Sequence, residues 1–331
     1  MSEPSPQPTW AIETFDLSHT YGELTALSRL NLQVGRGDIF GFIGSNGAGK
    51  TTALKILSLF LRPASGTASI YGYDIHKQGD EIRRLIGYMP DTFGVYKDML
   101  VVEYLDFFGA CYQMKRSDRA KKIEEILQLV GLSEKRNDLA SHLSRGMQQR
   151  LGLARVLIHD PDLLLLDEPA SGLDPRARVE MMNILRELRK KGKTILISSH
   201  ILSELQSLCN RVGIIEKGNL LYCGSTHDLK FRQSVLMTFR VRTLGDSDSA
   251  LQALKNGSTI EEARLIPSAL NTPGENSHAL SEIRVTLKSG CVDPGQISEL
   301  LLSAGVKLIY LVQEEVSLEQ TFLNLTRGDV Q

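Results

Sequence analysis

Gly44-Ser-Asn-Gly-Ala-Gly-Lys-Thr51 has the spacing G-x-x-x-x-G-K-[ST], and it directly follows the apolar run Asp38-Ile-Phe-Gly-Phe-Ile43. The run predicts a buried strand and Lys50 to Leu61 predicts a helix, so the glycines form the turn between them. Glycines let the backbone fold tightly around an anion, and the helix that follows directs its positive end at the same place. The pattern therefore predicts a loop that binds phosphate groups.

Individual groups of this loop have predicted roles. Lys50 is expected to reach the β- and γ-phosphates of a nucleotide, and the Thr51 hydroxyl is expected to ligate Mg²⁺. A plain glycine turn with an exposed lysine is the structural alternative, and the flanking strand and helix argue against it. The predicted nucleotide contacts are Gly44, Ser45, Asn46, Gly47, Ala48, Gly49, Lys50, Thr51 and Thr52.

A second motif, Leu163-Leu-Leu-Leu-Asp-Glu-Pro169, is an apolar strand that ends in two acids. A hard carboxylate at Asp167 suits Mg²⁺, usually through water. Glu168 is placed to orient and deprotonate the water that attacks the γ-phosphate. Taken alone, Asp167 would serve equally well as a cap of the turn. Together with the phosphate loop, the pair predicts catalysis.

Apolar strand patterns alternate with helical patterns from Trp10 to about Gly224, which favours an α/β architecture. Ser117 to Val130 predicts an amphipathic helix, and the spacing of Met147, Leu151, Ala154 and Ile158 predicts another. Unbroken apolar strands such as Leu163–Leu166 and Thr194–Ile197 are typical of a parallel sheet covered on both faces.

Residues 225–331 differ from the preceding part in composition and in the pattern of apolar residues, which predicts a small α+β extension. The segment from Asn256 to His278 is rich in Ser, Asn, Pro and Gly and predicts a long loop. The remaining predicted elements are strands at Val235–Val241, Glu282–Leu287 and Val306–Val312 and a helix at Ile297–Leu302.

Composition limits the kinds of protein that fit. Hydrophobic residues make up 42% and charged residues 23% of the 331, which is typical of a globular protein, and the formal net charge of −1 leaves only local basic patches to attract nucleic acid or anionic lipid. The four dispersed cysteines predict thiols in a reducing compartment rather than disulfides or zinc. Residues 1–9 predict a disordered tail without signal-peptide character. No apolar run reaches the roughly 18 residues that span a bilayer, so spanning helices would come from another chain.

Leu143-Ser-Arg-Gly-Met-Gln-Gln-Arg150, just ahead of the acidic strand, resembles the signature sequence of the ABC transporter ATPase family. The resemblance covers about Trp10–Ser225, two-thirds of the chain. It implies an α/β fold, the P-loop NTPase of ABC ATPase type, with a mixed sheet core and a helical subdomain at about residues 91–150. On this basis we expect a tail at 1–9, an ATPase domain at 10–225 and an α+β accessory domain at 226–331.

The resemblance also implies roles for residues outside the first two motifs. Ser144 and Gly146 would contact the γ-phosphate of ATP bound to the other subunit of a head-to-tail dimer, and Ser144 also predicts a helix cap. Tyr21 would stack on adenine. Asp174, before Pro175, would belong to a loop that links the two sites and would also cap a helix. His200 would contact the γ-phosphate and position the catalytic water.

Two residues depart from the family pattern. Asp91 stands where the family usually has glutamine; aspartate keeps an oxygen for Mg²⁺ but loses the amide donors, and we expect it to act in the site. A turn residue after Pro90 is the alternative. Arg145 stands where the common signature has glycine. Its side chain either points away from phosphate or adds positive charge to the dimer's ATP site, and the sequence does not choose between these.

The resemblance implies an ATPase that energises an ABC membrane transporter, with ATP and Mg²⁺ as cofactors. It is closest to exporters whose membrane part is a separate polypeptide, and Ser317–Leu323 resembles the C-terminal stretch of that group. The expected partners are a multi-span membrane permease and a second copy of the chain, without nucleic acid, at the cytoplasmic face of the membrane. Val101–Val130 is a candidate docking region, where Phe107, Phe108 and Tyr112 either form an apolar contact or pack in the core. The alternatives are a soluble ABC ATPase acting on ribosomes or nucleic acid, and a nucleotide-binding regulator without turnover.

Overall fold

The computed structural model describes residues 9–201, 205, 207–226, 228, 237–266, 280–288 and 293–314. These residues form two compact units, one that ends at Thr226 and one within residues 228–314. Residues 1–8 of the tail predicted at 1–9 lie outside the described residues, as does the resemblance at Ser317–Leu323. No helix among the described residues combines the length and the apolar character needed to cross a membrane.

The first unit alternates strands and helices along the chain. Its strands are β1 (Trp10–Tyr21), β2 (Leu24–Leu30), β3 (Gln33–Gly35), β4 (Ile39–Ile43), β5 (Ser65–Ile70), β6 (Tyr73–Asp74), β7 (Ile86–Met89), β8 (Leu163–Leu166), β9 (Thr194–Ser199), β10 (Arg211–Glu216) and β11 (Asn219–Ser225). Its α-helices are α1 (Lys50–Leu57), α2 (Gly79–Leu85), α3 (Val101–Cys111), α4 (Arg116–Leu129), α5 (Arg145–Leu157) and α6 (Pro175–Lys190), with short 3₁₀ turns at Ser133–Lys135 and Ala140–His142.

The central sheet has the strand order β11-β10-β4-β9-β8-β7. All neighbours pair in parallel except β10 and β11. Every residue of β4, β8 and β9 is buried, because helices cover a parallel sheet on both faces. The parallel, doubly covered sheet predicted from the unbroken apolar runs is confirmed, and the carboxyl ends of β4, β8 and β9 meet at one edge.

A second, antiparallel sheet, which the strand patterns alone did not predict, has the order β2-β1-β5-β6, with β3 also paired to β1. Its strands bury Ile12, Leu17 and Ile70 in the same core as Phe40 of β4. The N-terminal strands therefore join the core of the first unit and bring the end of β1 towards the phosphate loop.

Helices α3, α4 and α5 pack together as a helical group. The predicted helix at Ser117–Val130 is confirmed, with Ile123, Ile126 and Leu127 buried. The helix predicted at Lys50–Leu61 was wrong in its last turn, because α1 ends at Leu57. There Leu59 adopts a left-handed conformation (φ 65°), and the N–H groups of Phe60 and Leu61 both bond back to the Lys55 carbonyl.

The second unit has the element order strand, helix, strand, strand, helix, strand: β12 (Thr238–Leu244), α7 (Ser247–Lys255), β13 (Ile260–Ile266), β14 (Leu280–Leu287), α8 (Gly295–Ser303) and β15 (Lys307–Gln313). The antiparallel sheet runs β13-β14-β12-β15, an order typical of split β-α-β folds. A core of apolar side chains from both helices and all four strands holds it together, among them Val241, Ile283, Ile297 and Leu301.

The predicted loop at Asn256–His278 was wrong in part. Residues 260–266 form β13, which pairs with β14 from Ile260↔Leu287 to Ile266↔Glu282. The strand was missed because Glu261 and Glu262 interrupt the alternation of apolar residues. Helix α7 was also missed, although Asp246 caps it by accepting from the Asp248 and Ser249 N–H groups. Residues 267–279 lie outside the described residues.

Candidate active site

The phosphate loop packs directly against backbone on both sides. A Cβ at Gly44 would lie 2.4 Å from the Ile215 carbonyl oxygen, and a Cβ at Gly49 would lie 2.4 Å from the Ala26 carbonyl oxygen. Gly49 also has φ 108° at the N-cap of α1, a conformation that glycine adopts without strain. Only glycine fits at these two positions, so the loop is held between β2 and β10 and the N-terminus of α1 stays open.

A cavity of about 380 Å³ lies above this loop, which is within the size range of ligand pockets. It combines residues from the end of β1, the start of β2, the phosphate loop and the ends of β7, β8 and β9. Its lining residues are Tyr21, Leu24, Thr25, Ala26, Asn46, Gly47, Ala48, Gly49, Lys50, Thr51, Thr52, Asp91, Glu168, Ser171 and His200. Leu24, Thr25 and Ala26 were missed from sequence, and the apolar start of the strand after Tyr21-Gly22 was the available signal for them. Ser171 is the first residue of the segment to Asp174 that resembles the family's loop linking the two sites.

Lys50, the first residue of α1, is only 6% exposed and has three oxygen acceptors. Its Nζ donates to the carbonyls of Gly44 at 2.7 Å and Ser45 at 3.1 Å, and lies 3.3 Å from Glu168 Oε1. A buried ammonium requires such partners, because burial without them is costly. The phosphate-loop lysine and the acid that follows β8 therefore meet in one ion pair.

Glu168 also contacts the predicted histidine. His200 Nδ1 lies 2.6 Å from Glu168 Oε2. Since an ionised carboxylate only accepts hydrogen bonds, Nδ1 is the protonated nitrogen of this pair. Glu168 has φ 49°, the left-handed region that a glutamate seldom adopts, and such strain is concentrated at functional sites.

Asp167 lies beneath Glu168, at 1% exposure, and is held by a residue that the sequence reasoning missed. Ser198 Oγ donates to Asp167 Oδ1 at 2.7 Å and accepts from the Glu168 N–H at 2.9 Å. One fully buried hydroxyl therefore fixes both acids. Its signal was the polar pair Ser198-Ser199 at the end of the otherwise apolar β9.

Asp91 follows β7 and lines the same cavity. Burial, followed by the charges of Asp167 and Glu168, raises the pKa of the Asp91 carboxyl, while Arg145 and His200 oppose that shift. The loop is anchored by Phe93, whose ring lies where a Cβ on Gly152 of α5 would be, 2.2 Å from that position. Asp91 therefore lines the cavity, and its action in the site stays a prediction.

Three carboxylates at one edge of the sheet create an excess of negative charge that suits a divalent cation. No group of three or more His, Cys, Asp or Glu side chains among the described residues is arranged to hold a metal by itself. Mg²⁺ prefers one or two carboxylates, a hydroxyl and the oxygens of a bound phosphate, so the residues present fit that ion in company with a nucleotide.

Ser144, Gly146 and Asp174 do not line the cavity. Ser144 caps α5 by accepting from the Met147 N–H, and Asp174 caps α6 by accepting from the Ala177 N–H at 2.9 Å, with Pro175 following. A Cβ at Gly146 would lie 2.8 Å from Ala177 Cβ, so the two helix starts are adjacent. Apart from Gly44 and Ser45, whose carbonyls accept from Lys50, the residues predicted to contact nucleotide therefore fall into two groups, the cavity and the paired starts of α5 and α6.

Comparison with known proteins agrees with this arrangement. A family model described as "ABC transporter" matches residues 27–171. The bacitracin transport ATP-binding protein of Bacillus licheniformis is 35% identical over 318 residues, which cover 96% of this chain and 97% of that protein. The chain belongs to the ABC transporter ATP-binding proteins. It is an ATP-hydrolysing subunit that energises a transporter, and the family and function expected from its motifs are confirmed.

Other relatives differ in how much of the chain they match. The linearmycin resistance ATP-binding protein of Bacillus subtilis is 28% identical and covers 95% of the chain and 98% of its own length. The Nod factor export ATP-binding protein I of Cupriavidus pinatubonensis is 37% identical but covers 68% of the chain. The soluble ribosome- or nucleic-acid-acting alternative finds no support among these relatives.

Solved structures match the first unit. An ATP-binding subunit of an ABC transporter aligns with a TM-score of 0.61 at 28% identity, over 68% of this chain and 93% of that chain. An ATP-binding cassette in a dimeric post-hydrolysis state, bound to ADP and phosphate, aligns with a TM-score of 0.59 at 26% identity, over 65% of this chain and 98% of that chain. The predicted ABC ATPase fold is confirmed.

Proposed function

We propose that two copies of this chain close around two Mg–ATP molecules, that hydrolysis reopens them, and that this cycle drives an exporter with a separate membrane subunit. The separation of the predicted nucleotide contacts into two groups carries the proposal. Ser144 and Gly146 offer a capped helix N-terminus to an anion but lie outside the cavity of their own chain. A head-to-tail pair of copies gives each ATP both groups.

The residues predicted from the sequence to bind nucleotide have separate roles in this proposal. Lys50 exchanges its ion pair with Glu168 for contacts to the β- and γ-phosphates. The N–H groups of the loop from Gly44 to Thr51 bind the phosphate oxygens, and Thr52 is the last nucleotide contact of this segment. Tyr21, half exposed at the end of β1, stacks on adenine. Glu168 accepts the proton of the attacking water, and His200 fixes the carboxylate and contacts the γ-phosphate.

The metal would be held by Thr51, Asp167 and Asp91. It supplies charge neutralisation at the phosphates, which lowers the barrier to phosphoryl transfer. Ser198 keeps Asp167 in one orientation, and Asp91 adds a third oxygen donor.

The free energy that drives the cycle comes from a difference in nucleotide affinity between the closed and the open pair. A ligand shifts an equilibrium only as far as it binds one state better than the other. ATP binds the closed pair through both groups of residues, whereas ADP lacks the γ-phosphate that joins them. Two-fold symmetry then requires that each copy use the same two surfaces.

We assign the docking site of the membrane subunit to an apolar groove beside α3. The groove measures about 690 Å³, and its lining includes Phe60, Tyr88, Phe108, Tyr112 and Arg155. Phe60 is 75% exposed and Tyr112 45% exposed, although each is large and apolar. An amphipathic helix from the cytoplasmic loops of the permease is the expected occupant, which places the chain peripherally on that face of the membrane.

Phe107, Phe108 and Tyr112, the aromatic residues of the candidate docking region, differ in their contacts. Phe108 and Tyr112 line the groove, whereas Phe107 is 41% exposed and stacks edge-on against Tyr96 at 5.8 Å. Tyr88 lines the groove and lies three residues before Asp91. Burial, and to a lesser extent the charges of Asp167 and Asp91, raises the pKa of the Tyr88 hydroxyl to about 12. Tyr88 therefore connects the groove to the site.

Export is the direction that the relatives favour. The two relatives that match almost the whole chain act, by their names, in bacitracin transport and linearmycin resistance. They share residues 226–331 as well as the ATPase part at 10–225, so we assign 226–331 to an accessory domain of this exporter group. Residues 91–150 form the helical subdomain in this assignment.

Phosphate release from Mg–ATP by the purified chain, with Lys50→Ala as the inactive control, tests the activity. Co-purification with a multi-span membrane protein from the native cell tests the partner. Phe60→Ser should abolish co-purification while phosphate release by the purified chain stays unchanged. The proposal is contradicted if Phe60→Ser co-purifies with the membrane protein as well as the wild type does, or if the native chain releases no phosphate.

A further inference from the structure

Arg145, the first residue of α5, lies flat against a neighbouring glycine. A Cβ built on Gly172 would be 2.3 Å from Arg145 Nη2, 2.4 Å from Cζ and 2.7 Å from Nη1. Nη2 also donates to the Ser171 carbonyl at 3.4 Å. Three atoms of one guanidinium thus occupy the space that any side chain at position 172 would need, and the side chain runs to the chain's own Ser171–Gly172 segment.

The two ends of this contact belong to different ATP sites. Arg145 follows Ser144, the cap of the helix assigned to the partner's ATP. Ser171 lines the chain's own cavity, and its N–H bonds to the Glu168 carbonyl at 3.0 Å. The guanidinium therefore joins the surface that would receive one nucleotide to the wall that surrounds the other.

The chemistry of the arginine side chain fits the same placement. Arginine is suited to such a contact, since its planar group packs on a flat surface while it donates hydrogen bonds.

We propose that Arg145 is a positioning residue that couples the two ATP sites of the dimer by holding the Ser171–Gly172 segment against the start of α5. The inference rests on the proposed ATP-bound pair. When the start of α5 closes on the partner's γ-phosphate, the guanidinium holds the segment that follows Glu168. Nucleotide binding at either site therefore acts on the same contact between Arg145 and Ser171–Gly172. Arg145 touches neither nucleotide.

A competing arrangement has Arg145 leave Gly172 and bind the partner's γ-phosphate directly. The two arrangements differ at Gly172. If the guanidinium must lie on Gly172, an alanine there displaces it and reproduces the loss of Arg145. If the guanidinium acts on phosphate, an alanine at Gly172 only releases it to do so.

The test measures phosphate release against Mg–ATP concentration for the wild type, Arg145→Ala, Gly172→Ala and the double variant. We expect each single variant to lower kcat about tenfold, with KM changed less than about twofold and the Hill coefficient reduced towards unity. The double variant should be no worse than either single variant. Arg145→Lys should recover part of kcat, because lysine keeps one donor but not the planar group.

Gly192→Ala is the matched control. Gly192 also has a positive φ, of 84°, but a Cβ there meets nothing within 4 Å, so this variant should keep wild-type kinetics. If Gly172→Ala acted by backbone strain alone, its loss would add to that of Arg145→Ala, which would overturn the proposal. A raised KM for Arg145→Ala with wild-type behaviour of Gly172→Ala would assign Arg145 to phosphate instead. Wild-type kinetics in Arg145→Ala would refute the coupling alone, whereas an inactive wild type would refute the proposed function.

Discussion

His200 Nδ1 lies 2.6 Å from Glu168 Oε2, while Lys50 Nζ lies 3.3 Å from the other oxygen of the same carboxylate. Glu168 is thus fixed on both sides by groups from β9 and α1. A carboxylate held in this way loses little orientational freedom when it takes up a proton, which favours a role as general base. The two contacts also explain how a backbone with φ 49° at Glu168 is tolerated.

Removal of His200 should leave Glu168 with only Lys50 to orient it. We expect His200→Ala to bind ATP with nearly wild-type affinity and to hydrolyse it about a hundredfold more slowly. Phosphate release and the binding of a fluorescent ATP analogue measure the two properties separately. His142→Ala, an exposed histidine outside the cavity, should behave as wild type. Equal loss in both variants would exclude a specific role for His200.

Ser198 should matter as much as a recognised catalytic side chain. Ser198→Ala removes the hydroxyl that binds Asp167 and the Glu168 N–H, so both acids gain freedom, and we expect kcat to fall about tenfold. Among the described residues, the hydroxyl of the adjacent Ser199 hydrogen-bonds to the backbone of Ile201, which makes Ser199→Ala the control. The expected ratio of the two kcat values is about tenfold, and a ratio near unity would show that Ser198 is not needed.

Variants of Asp91 test how aspartate acts at the position where the family usually has glutamine. Asp91→Ala should lower turnover because an oxygen is lost beside Asp167, and Asp91→Gln should retain more activity than alanine because it restores the family's oxygen and amide. Lys50→Ala, by contrast, should abolish nucleotide binding itself. The Mg²⁺ dependence of phosphate release measures the effect, with a higher metal requirement expected for alanine. An alanine variant with wild-type turnover and metal requirement would remove Asp91 from the site.

His159 should make the fold sensitive to acid. Its ring stacks on Tyr112 at 3.8 Å and contacts the Ile86 carbonyl oxygen through Nε2, and burial lowers its pKa below the ordinary 6.5. As pH falls below about 6.5, the unfolded chain takes up a proton that the folded chain refuses, so unfolding becomes more favourable. Melting temperatures between pH 8 and pH 5.5 should fall less steeply in His159→Gln than in the wild type.

The control for this measurement is His142→Gln, which changes an exposed histidine and should keep the wild-type slope. A slope unchanged by His159→Gln would show that another group accounts for the acid sensitivity.

The sequence was sufficient for the parallel sheet and for most of the residues that line the cavity, because those features rest on local patterns. The glycine spacing before Lys50, the apolar run before Asp167 and the polar residues after β9 each specify a strand end, and parallel strand ends meet at one edge. That the cavity contains Asp91 and His200 follows from the same rule, whereas Tyr21 reaches it from β1 of the antiparallel sheet; the roles of all three remain proposals.

Features that depend on contacts between distant residues were not predictable. Ser198 reads as an ordinary serine until Asp167 and Glu168 are placed beside it. The direction of the Arg145 side chain depends on Gly172, 27 positions later in the chain. Strand β13 lacks a clean alternation and is stabilised by its pairing with β14, which local patterns do not reveal.

The mass of Glu168→Gln in solution, measured by light scattering in the presence of Mg–ATP, bears most directly on the ATP-bound pair. This change removes the proposed base but keeps the shape of the side chain, so ATP should remain bound and unhydrolysed. We predict twice the mass of the 36.7 kDa chain with ATP and a return to the single-chain mass with ADP. A single-chain mass with ATP bound, or an equal mass with both nucleotides, would contradict the account.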